Sequence, residues 1–178
     1  MAELAQPMHA FDADKLHDGP ISVRNAKPGE QFAALNDETY ELDETNLVIA
    51  DPKGAIALAG VIGGAGSAIS EATTRLVLES ANFHASNIRK TSAKIRLRTD
   101  ASMRFEKAQD PVNTVRALER AGIRTTAIFA ASLKDAEAKA LIAAAAPDIV
   151  LNATAFAAGL LDGTDCPVLQ VVFSGSTE

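Results

Sequence analysis

Over the first two-thirds of the chain, apolar and polar positions alternate in short stretches, the period expected of strands with one buried face. Ile21-Ser22-Val23-Arg24 is the first such stretch. Tyr40-Glu41-Leu42 repeats the pattern beyond a turn at Asn36-Asp37-Glu38. Leu47-Val48-Ile49-Ala50 is apolar throughout, as suits a strand covered on both faces. Asp51-Pro52-Lys53-Gly54 then makes a turn, with Pro presetting φ and Gly open to positive φ. Residues 55–62 therefore return as the hairpin partner. They run into Gly63-Gly64-Ala65-Gly66-Ser67, a loop in which backbone can approach a ligand closely. Leu76-Val77-Leu78-Glu79 is a further strand with Glu79 at its end.

From residue 86 the period lengthens. Residues 86–95 read as a helix with Ser86 as N-cap. Asp110 caps a second helix with Pro111 at its first position, and that helix ends at Gly122. Beyond it come a strand at 124–130, an Ala-rich helix at 134–145, and strands at 148–153 and 168–173. Strand, helix and strand at this spacing predict a βαβ unit with a parallel sheet.

Composition narrows the function classes. With 178 residues and 47% hydrophobic content, the chain can bury one ordinary core or two small packed ones, and disorder is excluded. A net charge of −6 argues against a stand-alone nucleic-acid clamp, and 4% aromatics without Trp weakens any base-stacking platform. No apolar run is long enough to cross a membrane, and the first seven residues lack the basic and apolar regions of a signal peptide. Cys166 stands alone, so no internal disulfide forms and a cytoplasmic location is expected. His9, His17 and His84 have no metal-ligand spacing, and His17 and His84 read as surface residues. The glycines from 60 to 66 lack the Gly-Lys-Ser/Thr ending of a phosphate loop, so neither metal nor cofactor is expected. One local excess stands out: Arg89, Lys90, Lys94, Arg96, Arg98, Arg104 and Lys107 face only Asp100 and Glu106. This stretch is either a solvated face or a surface turned toward phosphates.

Specific strings carry more. Gln6-Pro7-Met8-His9-Ala10-Phe11-Asp12, Leu47-Val48-Ile49-Ala50-Asp51, Ala57-Leu58-Ala59-Gly60-Val61-Ile62-Gly63-Gly64, Val77-Leu78-Glu79-Ser80-Ala81-Asn82-Phe83 and Thr99-Asp100-Ala101-Ser102-Met103-Arg104-Phe105-Glu106-Lys107 occur in this order. Together they resemble the editing domain in the β subunit of bacterial phenylalanyl-tRNA synthetase, over residues 1 to about 120. Residues 121–178 resemble a fragment of the cobaltochelatase large subunit, through Ala127-Ile128-Phe129-Ala130, Pro147-Asp148-Ile149-Val150-Leu151-Asn152 and Pro167-Val168-Leu169-Gln170-Val171-Val172-Phe173. The two resemblances imply a chimera joined near residues 116–122. The fold they imply is α/β, a mixed sheet assembly of the editing-domain type with a C-terminal flavodoxin-like βαβ segment. The two parts are expected to share one core, the second covering apolar surface and a sheet edge that the first leaves bare.

The resemblance to the synthetase implies a site that hydrolyses tyrosine wrongly esterified to tRNA(Phe). By motif match Glu79 is the carboxylate that accepts a hydrogen bond from the tyrosine phenol; on the residues alone it reads as an exposed strand-end Glu. Since Phe would leave that group unpaired, a Tyr preference on the order of 10- to 100-fold is expected. Gly63 and Gly64 match glycines beside the bound amino acid, and read alone they form a hairpin turn. Thr99 and Ala101 match pocket-lining residues, or else make a capping turn around Asp100. His9 matches a histidine near the ester and the terminal ribose, the one catalytic candidate, or else packs at a strand start. No nucleophile is assigned, because an activated ester needs only a positioned water. The implied partners are tyrosine or tyrosyl-tRNA. Weak tRNA contact is expected through Arg89, Lys90, Lys94, Arg96 and Arg98, and no binding to the family's α subunit. Two other readings stay open: a folded chimera without activity, and a chelatase fragment that binds a tetrapyrrole.

Overall fold

The computed structural model describes residues 4–120, 127–130, 150–151 and 169–176. The strands are β1 (Met8–Asp12), β2 (Ser22–Asn25), β3 (Glu30–Ala33), β4 (Thr39–Leu42), β5 (Leu47–Ala50), β6 (Ala55–Leu58), β7 (Ile62–Gly63) and β8 (Arg75–Asn82). Three helices follow, α1 (Ala85–Lys94), α2 (Asp100–Phe105) and α3 (Val112–Arg120), and then β9 (Ala127–Ala130), β10 (Val150–Leu151) and β11 (Leu169–Ser176). The fold is mixed α/β, and most of its strand pairs are antiparallel.

One sheet has the order β2-β5-β6-β7. Val48, Ile49, Ala57 and Leu58 from its two middle strands are buried, because a strand flanked by others and covered on both faces must be apolar throughout. The hairpin predicted at residues 51–54 joins β5 to β6. Its returning strand stops at Leu58, four residues earlier than the alternation suggests. Gly60, with φ +69°, turns the chain there. A Cβ on Gly60 would lie 2.7 Å from Ile88 and 2.9 Å from Phe83, inside the core. Gly60→Ala combines left-handed backbone strain with overpacking and should cost about 2–4 kcal/mol. Urea unfolding checks this, and an unchanged midpoint would show that the turn can relax.

The second sheet has the order β1-β8-β11-β9-β10. β8 runs antiparallel to β1 on one side, with His9 opposite Glu79, and antiparallel to β11 on the other, with Val172 opposite Glu79. β9 and β10 pair in parallel, as a βαβ unit requires, but β11 is antiparallel to β9, so this segment is not uniformly parallel. The helix expected at 134–145, residues 121–122 of the expected join, and Cys166 lie outside the described residues.

α1 buries Ile88, Thr91 and Ser92, the i, i+3, i+4 stripe of an amphipathic helix. Its N-cap is His84 rather than Ser86, and no side chain caps it. Ser86 falls inside the first turn instead. α3 starts at Val112, whose N–H donates to Asp110 Oδ1 at 3.0 Å, so Asp110 caps as expected while Pro111 stays outside the helix. Phe83 and Phe105 meet edge to face at 5.0 Å and tie α2 to the end of β8.

Candidate functional site around Glu79

β8 displays alternate residues on opposite faces. Ser80 Oγ donates to the Thr114 carbonyl of α3 at 2.9 Å, and Asn82 Nδ2 donates to the Gln109 carbonyl at 2.8 Å. Glu79, one residue before Ser80, therefore projects from the other face. It sits fifth of the eight residues of β8, not at a strand end, and is only 7% exposed. Glu79 lines a small cavity of about 60 Å³ together with Pro7, His9, Gly63, Ala101 and Phe105.

Among the described residues nothing hydrogen-bonds to the Glu79 carboxyl. Burial alone pushes its pKa up to about 8. At neutral pH the group is thus the protonated acid, able to donate as well as accept, where the sequence suggested a carboxylate. The neighbouring imidazole responds to the same cause in the opposite sense: burial lowers the pKa of His9 and favours its neutral form. His9 Nε2 is buried without a hydrogen-bond partner. The site therefore holds two polar side chains on adjacent strands, both uncharged and both without a hydrogen-bond partner among the described residues. Unpaired buried groups are costly, and a ligand that pairs them recovers that cost.

The glycines divide. A Cβ on Gly63 would fall 2.4 Å from both Cε1 and Nε2 of His9, so the ring can rest over this residue only because no side chain is there. Gly64 does not line the cavity. Its N–H donates to the Ile56 carbonyl at 2.8 Å, it bridges to Ala34, and a Cβ would strike the Ile56 oxygen at 2.7 Å. Its task is strand packing.

Ala101 lines the cavity, and Thr99 does not. The Thr99 hydroxyl donates to the Val61 carbonyl at 2.7 Å and accepts from Ser102 N–H at 3.1 Å, while Ser102 Oγ accepts from Thr99 N–H. This is a capping box that starts α2 and fastens the turn after Gly60. The single hydroxyl proton is committed to Val61, so Thr99 stands behind the cavity wall as a support. Pro7, Met8 and Phe105 line the cavity without having been singled out from sequence; their only signal was membership of the same strings as His9 and Ala101.

The basic stretch is exposed but partly paired. Arg98 bonds Glu106 at 2.8 Å, Arg89 bonds the Glu106 carbonyl at 3.3 Å, and Lys94 pairs with Asp43. Lys90 and Arg96 are exposed without partners among the described residues. No group of three potential metal ligands occurs among the described residues, and no helix there is long and apolar enough to cross a membrane.

Three curated relatives are phenylalanine–tRNA ligase beta subunits. That of Solibacter usitatus (strain Ellin6076) is 75% identical over 121 residues, which cover 68% of this chain and 16% of the relative. Those of Idiomarina loihiensis (strain ATCC BAA-735 / DSM 15497 / L2-TR) and Nocardia farcinica (strain IFM 10152) are 48% and 45% identical over 121 residues, covering 15% and 14% of their lengths. The chain thus spans about one-sixth of the length of these relatives. Residues 1–125 match the B3/4 domain, well over half of the sequence, and the chain belongs to that family.

Proposed function

We propose that the Glu79 cavity is a tyrosine-selective editing site that hydrolyses tyrosine esterified to tRNA(Phe). The observation that carries this reading is the buried, unpartnered Glu79 carboxyl, set one strand away from an unpartnered His9. The beta subunits named above support the tRNA context. The phenol hydroxyl of tyrosine pairs with Glu79, whereas the phenyl ring of phenylalanine leaves the carboxyl unpaired. The cavity at about 60 Å³ is well below the roughly 300–1,000 Å³ of small-molecule sites, so the ring enters by displacing side chains at the rim. Leu35, 44% exposed and beside Gly63, is the residue placed to move.

In the reaction a water oxygen attacks the ester carbonyl carbon. The new C–O bond replaces the bond to the terminal ribose oxygen, which leaves with a proton as a free hydroxyl. Neutral His9 accepts the water proton and returns one to the leaving oxygen. Gly63 keeps the ring in place by having no Cβ. No covalent enzyme intermediate is needed, because the ester is already activated.

The test is release of free tyrosine from tyrosyl-tRNA(Phe), with phenylalanyl-tRNA(Phe) as the comparison. Tyrosine release should exceed the spontaneous rate, and Glu79→Ala should bring it down at least tenfold. Release at the spontaneous rate from both esters, by a protein that unfolds cooperatively, counts against the proposal. Binding to tRNA is expected to be weak and salt-sensitive, with Lys90 and Arg96 the uncommitted cations of the α1 face.

We also propose that the segment beyond residue 125 is of separate origin, derived from a chelatase-like sequence, and completes the core of the first part. Two observations support this: the family match ends at residue 125, and β11 pairs with β8 along its whole length. A cytoplasmic location follows from the same reading.

A further inference from the structure

A second recess lies apart from the Glu79 cavity and shares no lining residue with it. It lies between the turn after β1 and the β5–β6 hairpin, and its volume is about 400 Å³, within the range of small-ligand sites. Lys15, His17 and Lys53 line it, with Glu30 and Asp51 as its acids.

Asp51 is buried and fully committed. Its Oδ1 accepts the N–H groups of Lys53 at 2.9 Å and Gly54 at 3.0 Å. Its Oδ2 accepts the His17 N–H at 3.1 Å and meets His17 Nδ1 at 2.9 Å. A carboxylate on Nδ1 fixes the ring proton there and leaves Nε2, across the ring, for another partner. Glu30 is committed as well. Arg24 grips it with two bonds of 2.8 and 2.7 Å, the backbone N–H groups of Lys27 and Ala55 add two more, and its pKa is held down to about 2.

The acids of the recess are thus satisfied internally, and what stays open is Lys53, part of Lys15 and the Nε2 side of His17. Lys53 is exposed and has no ion pair among the described residues. Lys15 is steered by the Ala68 carbonyl at 2.6 Å, with Asp12 at 3.7 Å, and keeps a third hydrogen free. An adjoining recess of about 380 Å³, which shares Glu30, Asp51, Lys53 and Gly54, adds Arg24 and Lys27. With Arg24 spent on Glu30, Lys27 and Lys53 are the lysines bordering the two recesses without an acid partner among the described residues, and Lys15 is half-committed.

We propose that this recess binds the phosphate group of a nucleotide or of an RNA backbone, through Lys53, Lys15 and His17 Nε2. The lysines supply charge. His17, oriented by Asp51, either donates to a phosphate oxygen as imidazolium or accepts from a P–O–H as neutral imidazole.

The test is titration of the full chain, ¹⁵N-labelled, with inorganic phosphate, AMP and a short single-stranded RNA, read from amide shifts. Shifts should localise to His17, Lys53 and Gly54, and Lys53→Glu should weaken binding at least tenfold, while Arg116→Glu on the exposed side of α3, outside both recesses, changes it less than twofold. AMP and RNA binding equally through these residues identifies a mononucleotide phosphate; RNA binding tenfold tighter through them identifies the backbone. No localised shift, or binding abolished by Arg116→Glu and not by Lys53→Glu, overturns the proposal.

Discussion

Glu79→Gln should stabilise the protein strongly at pH 8 and hardly at all at pH 5. Burial pushes the folded-state pKa of Glu79 up to about 8, from an ordinary value of 4.5. Between these values the folded protein holds a proton on this side chain and the unfolded chain does not. Stability contributed by the protonated acid is fully present below about pH 4.5 and is lost as pH rises toward 8, by about 1.4 kcal/mol per pH unit. Above pH 8 both states are ionised and the loss levels off. The loss at pH 8 is on the order of 3–5 kcal/mol, a large share of the 5–15 kcal/mol that stabilises most domains. Glutamine resembles the protonated acid in size and never ionises, so it escapes the loss. Urea unfolding of both proteins at pH 5, 6.5 and 8 gives the difference directly. A difference that does not change with pH would mean that Glu79 titrates normally and is not buried as the structure places it.

Much of the scaffold was legible in the sequence because local chemistry dictates it. The Asp51-Pro52-Lys53-Gly54 turn and the apolar run before it require a hairpin whatever the rest of the chain does. The reading failed where distant residues decide. β1 enters the sequence reading only as a strand start at His9, without bounds, because its partner lies some 70 residues away in β8. The end of β6 at Leu58 reflects Gly60 seated against Ile88 and Phe83, which no local pattern reveals. At the site, family resemblance located His9, Gly63, Glu79 and Ala101, which the structure gathers around one cavity. It also offered Gly64 and Thr99, which sit outside that lining, in a strand bridge and a capping box. Burial of Glu79 was invisible because a Glu after Leu78 reads as the polar phase of an alternating strand. His17 and Asp51 were passed over for a related reason: a surface histidine and a turn aspartate look ordinary until their side chains meet at 2.9 Å.

The most direct measurement is the affinity ratio of tyrosinamide to phenylalaninamide, by calorimetric titration at pH 6 and pH 8.5, in the parent protein and in Glu79→Ala. The two ligands share their amine titration, so the ratio reports the phenol alone. At pH 8.5 the carboxylate is available and a charge-assisted bond of about 1.5–3 kcal/mol should favour tyrosinamide by roughly 10- to 100-fold. At pH 6 the free site is protonated. Only a neutral hydrogen bond of about 0.5–1.5 kcal/mol is then gained without giving up a proton, and the ratio should fall to roughly 2- to 13-fold. Glu79→Ala should bring the ratio close to one at both values. A ratio near one in the parent, or a preference that survives Glu79→Ala, would contradict Glu79 as the group that reads the tyrosine hydroxyl.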